Sequence, residues 1–81
     1  MTALNAEARR TQILAEWQTA MDDKEALLAS PEDRSGNMAA KAKEAFEQGD
    51  ITDEDLREML EQADAAYGWA LEELLTRELN Q

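Results

Sequence analysis

The chain has no cysteine and no histidine. The first absence excludes disulfides, thiolate metal sites and thiol nucleophiles. The second removes the usual zinc and iron ligand and the base of most nucleophilic triads. Valine is missing too, and Leu, Ile and Phe together number 13 of 81 residues. That is below the ~20% level at which high net charge usually accompanies disorder. Positive charge is scarce: eight Lys and Arg stand against nineteen Asp and Glu, for a net of -11. Such a chain repels nucleic acid and anionic lipid and attracts basic protein surfaces, so neither direct nucleic-acid binding nor membrane binding is expected. No run approaches the ~20 apolar residues of a membrane span, and the first residues hold no apolar signal core. With the lack of cysteine, this fits a cytoplasmic protein.

What is present is helical. Ala, Leu, Glu, Gln, Lys, Arg and Met make up 54 of the 81 residues, all strong helix formers. With one proline and three glycines there is little to break them. The expected fold is all-α: a single-domain, three-helix bundle with two long helices and a short middle one. A chain of this size buries only about 60–65% of its unfolded surface, so completion by a second copy or a partner is expected.

The first helix is expected over about 3–29. Leu14, Trp17, Met21 and Leu28 recur at helical spacing with Ile13 and Ala20 alongside, and Trp17 sits near the centre of the stripe. Lys24 interrupts it and should snorkel at the core's edge. Ser30-Pro31-Glu32-Asp33 signals a helix start, with a capping serine and proline at the first position. Ser35-Gly36-Asn37 is then expected to break that start, so the second helix is placed at about 37–48, with Met38, Ala42, Ala45 and Phe46 inward. Gly49 suits a left-handed helix end. Thr52 and Asp55 form a relative of the capping box, and Ile51 can pack on Leu56 as a hydrophobic staple. The third helix is placed at about 52–79, with Leu56, Met59, Leu60, Ala63, Tyr67, Ala70, Leu71 and Leu74 as its core arc.

Catalytic material is thin. Ser30 and Ser35 have no recognisable base, no glycine-rich phosphate loop occurs, and paired carboxylates need a dry pocket that so small a bundle rarely encloses. A non-enzymatic protein without metal or cofactor is expected. The stretch Ile51 to Asp64 resembles the entering helix of a calmodulin-type EF-hand. The calcium loop does not follow: with Asp64 at its first position, Ala66, Gly68 and Leu75 would occupy ligand positions three, five and twelve. The size and acidity resemble those of acyl carrier proteins, but no Asp-Ser-Leu attachment motif exists.

The informative feature lies in the last segment. From Asp50 to Gln81 there are ten acids and two bases. Asp53, Glu54 and Asp55 suit the positive end of a helix dipole, whereas Glu72, Glu73 and Glu78 lie toward its negative end. Trp69 falls off the core arc, as do Leu75 and Leu79, and Gly68 costs about 1 kcal/mol inside a helix. The expected function is a small adaptor or inhibitor that docks helix three on a basic, partly apolar surface of another protein. The contact set is Trp69, Gly68, Ala65, Glu58, Glu72, Glu73, Leu75 and Leu79, with Trp69 as anchor. One alternative is a homodimer with Ala65, Gly68, Trp69, Leu75 and Leu79 as its seam. A further alternative is a DNA mimic, which the gap in acids between Asp64 and Glu72 disfavours.

Overall fold

The computed structural model describes residues 5–80 and contains four helices and no strand among them: α1 (Ala6–Asp22), α2 (Lys24–Ala29), α3 (Pro31–Glu47) and α4 (Asp53–Leu79). The fold is an all-α small helical bundle. The expected start of the first helix at Ala3 lies outside the described residues.

Two boundaries differ from the expectation. The segment read as one long first helix is interrupted at Asp23, whose backbone leaves helical geometry (φ -81°, ψ 78°) and whose Oδ1 accepts from the Ala26 N–H at 3.1 Å. An aspartate that caps a new helix outcompetes continuation of the old one. The break changes the face that follows: Leu27 is buried and Leu28 only half-buried, the reverse of what a straight helix would give. The second difference is that α3 starts at Pro31 and runs unbroken through Ser35-Gly36-Asn37. Ser35 Oγ donates to the Pro31 carbonyl at 2.8 Å, which satisfies it within the helix, and Gly36 and Asn37 face solvent. The proline at the first position is as expected; the Ser30 side chain makes no capping bond.

The remaining signals took the expected form. Gly49, at φ +78°, ends α3 with paired bonds from its own N–H to Phe46 O and from Asp50 N–H to Ala45 O, both 2.9 Å. This is the Schellman arrangement, which needs a left-handed residue. Thr52 and Asp55 form a complete capping box at 3.0 Å in each direction. Ile51 is buried, and Leu56 packs against the same cluster.

α3 returns antiparallel to α4, and α1–α2 run parallel to α4. The parallel register is set by three pairs, each 45 positions apart: Arg10–Asp55, Trp17–Gln62 and Lys24–Trp69. Successive pairs are seven residues apart, one heptad, so each returns to the same seam. The core has two parts. Trp17, Met38, Ala42, Ala45, Ile51, Met59 and Ala63 form the larger; Leu27, Ala66 and Ala70 form the smaller.

α4 is rotated from its expected orientation. Its buried residues are Asp55, Met59, Ala63, Ala66 and Ala70, centred roughly 60° from the middle of the leucine-rich arc at 100° per residue. The alanines account for this: Ala63 joins Ala42 and Ala45 of α3 in the larger cluster, Ala66 and Ala70 join Leu27 of α2 in the smaller one, and the bulky leucines are left at the sides. Leu56, Leu60, Tyr67 and Leu74 are only half-buried and Leu71 is exposed. Phe46, expected inward on α3, is 40% exposed.

The body is elongated, 56 × 23 × 15 Å. Its radius of gyration is 14.8 Å, against about 12 Å for a compact chain of this length.

Candidate interaction surface on α4

Rotation of α4 divides the expected contact set into two groups. Ala65, Gly68, Glu72, Leu75 and Leu79 share one face and are all exposed. Glu58, Trp69 and Glu73 point instead toward the side where α1 and α2 pack. Glu58 borders a small cleft with Arg10, Trp17 and Gln62, some 21 Å along the helix from Glu72 at 1.5 Å per residue. Glu73 is half-buried and pairs with Arg77 at 3.4 Å, one turn on.

Trp69 is 39% exposed, and the Lys24 ammonium lies over its ring, 5.1 Å from the centroid. A cation on the face of an indole is attracted by the ring quadrupole. Lys24 is itself exposed, and its contact with Trp69, outside both core clusters, is the last rung of the heptad-spaced seam. Trp17, the rung before, is buried and donates from Nε1 to Gln62 Oε1 at 2.7 Å.

At the first rung, Asp55 is buried and accepts from Arg10 Nε at 2.7 Å and Nη2 at 2.8 Å, a bidentate pair, while it also accepts the Thr52 N–H. Arg10 first, and the Thr52 backbone second, hold its carboxyl well below the usual carboxylate range, against the opposing effect of burial. Arg9 pairs with Asp50 at 3.1 Å beside it. The bases of α1 are thus committed to acids in the first turn of α4 and in the connection before it. Among the described residues Glu72 and Glu78 form no ion pair, and no acid or base cluster has the arrangement of a metal site.

One residue was missed on the exposed face. Leu71, 45% exposed, stands one turn before Leu75 (56%) and two before Leu79 (75%). The three form a line at i, i+4 and i+8. Their spacing was legible in the sequence, but Leu71 lies at the margin of the apolar arc and was assigned to the core. Beyond Leu71 only Glu73 and Leu74 are half-buried; Glu72 and residues 75–80 are exposed. Gly68, one turn before Glu72, has no atom of another helix within 4 Å of where a Cβ would stand, so packing of the bundle does not require it.

No helix among the described residues is long and apolar enough to cross a membrane. The chain matches no family model, no curated protein and no solved structure.

Proposed function

We propose that this is a non-enzymatic protein-binding module that presents the exposed outer face of α4 to an apolar groove with a basic rim on another protein. The observation that carries this reading is the line Leu71–Leu75–Leu79, exposed on a helix whose residues 75–79 are all exposed in the described structure. Apolar side chains one turn apart on an exposed helix face, as at i and i+4, are among the anchors of helix-in-groove recognition. Gly68 supports it, since a helix-weakening glycine that relieves no internal crowding leaves room for close approach from outside. Glu72 and Glu78 flank the leucines without ion-pair partners among the described residues, and Glu78 lies in the last turn, unfavourably placed on the dipole, so basic groups of a partner would relieve them. Trp69 takes a lesser part than the sequence suggested, as a half-exposed edge residue beneath Lys24.

The test is affinity capture with the wild type and with Leu75→Glu/Leu79→Glu. Both leucines are exposed, so the variant should melt as the wild type does. It should lose the captured partner, and wild-type capture should weaken in ~0.5 M salt because steering by exposed charge is screened. Equal capture by the folded variant would refute the reading.

A further inference from the structure

α1 and α3 both lean on α4 but leave a groove of about 620 Å³ between them. Its floor is apolar, formed by Trp17, Met38 and Met59, and its rim carries Arg34 and Lys41 with Glu16 and Glu44. On a chain of net -11 this rim balances its charges, so it is a place where an acidic helix is little repelled. Arg34 is also under-used. Its one ion pair among the described residues, from Nη2 to Asp23, is long at 3.9 Å, and its side chain is one-third exposed. A carboxylate brought to this rim would supply what Arg34 lacks.

We propose that the last turns of α4 of one copy dock in the α1–α3 groove of a second copy, with Leu71, Leu75 and Leu79 over the apolar floor and Glu72, on one flank of the leucine line, toward Arg34 and Lys41 on the α3 rim. The dimensions agree. The leucine line spans about 12 Å, and the α3 side of the groove, from Arg34 to Gln48, spans about 21 Å at 1.5 Å per residue. Ala20 and Ala45 in its walls let a helix approach closely. A symmetric seam of α4 against α4 fits worse, because it would set the unpaired glutamates of two copies against each other. The contact is heterologous: what one copy offers, the other receives. The inference goes beyond the partner reading and does not need it, although both use the same leucines.

A contact this small belongs to the weak, transient class, so association is tested at about 100 μM by sedimentation velocity. Wild type should self-associate. The α4 variant Leu75→Glu/Leu79→Glu and the groove variant Arg34→Glu/Lys41→Glu should each sediment as monomers while melting as folded proteins. Their equimolar mixture should associate again, since one keeps an intact groove and the other an intact α4. Lys41→Glu alone, at an exposed residue, should weaken self-association about tenfold and keeps the test open if the double variant melts early. A monomeric wild type, a folded groove variant that associates as wild type does, or a mixture that stays monomeric would each overturn the proposal. The groove variant should still capture a foreign partner, so loss of self-association leaves the partner reading standing.

Discussion

Asp55 is the residue on which the start of α4 turns. It closes the capping box and receives both Arg10 bonds, so Asp55→Asn should lower stability at pH 7 by about 1–3 kcal/mol, measured by denaturant unfolding. Its carboxyl is held below its ordinary value of 3.8 in the folded state. The stabilisation is therefore complete above that value and is lost as pH falls below it, so wild type and variant should converge in acid. The two tryptophans give a second check. In Trp69→Phe only the buried Trp17 remains, and emission should shift to shorter wavelength than in the wild type; an unshifted spectrum would mean that Trp69 is as dry as Trp17. At this scale the sequence was informative where partners are close along the chain. Thr52, Asp55 and Gly49 could be placed from their neighbours within three or four positions. Arg10, Gln62 and Lys24 could not, because their partners lie 45 positions away and no local pattern encodes that offset.

Among the elements, α4 holds the clearest test of what is structural and what is spare. Gly68→Ala should stabilise by about 1 kcal/mol through helix propensity alone, as no other helix crowds the added methyl. Gly49→Ala should destabilise by about 1–2 kcal/mol, since its backbone is left-handed. Opposite signs in thermal melts would separate a glycine the fold needs from one it does not. If Gly68→Ala also weakens capture of a partner, its role lies outside the bundle. Helix existence was legible throughout; helix breaks were not. Asp22-Asp23 reads as helix interior because the apolar period continues past it, and Ser35-Gly36-Asn37 reads as a stop because the packing that holds Arg34 and Met38 inward is tertiary. The rotation of α4 was hidden for a related reason. A wheel weights leucine above alanine, but close packing favoured the alanines, and this moved Leu71 out to the surface and Trp69 to the seam.

For the molecule as a whole, the elongated shape and the uneven helix lengths explain why an apolar face is left over. A middle helix too short to cover two long ones was expected. α3 proves longer, at 17 residues, yet α4 at 27 still outruns it. The exposed leucines thus follow from length as much as from composition. The constant 45-residue offset has a consequence of another kind. The α3–α4 hairpin closes over a five-residue connection, whereas every rung between α1–α2 and α4 must close a loop nine times longer. Loop entropy favours the hairpin, so it should form in the folding transition state and α1 should dock afterwards. Ala45→Gly in α3 should then mainly slow folding, with a φ-value above about 0.5, whereas Trp17→Phe should mainly speed unfolding, with one below about 0.3. The seam that sets the register of this protein should then be the last part of it to assemble, and the first to open.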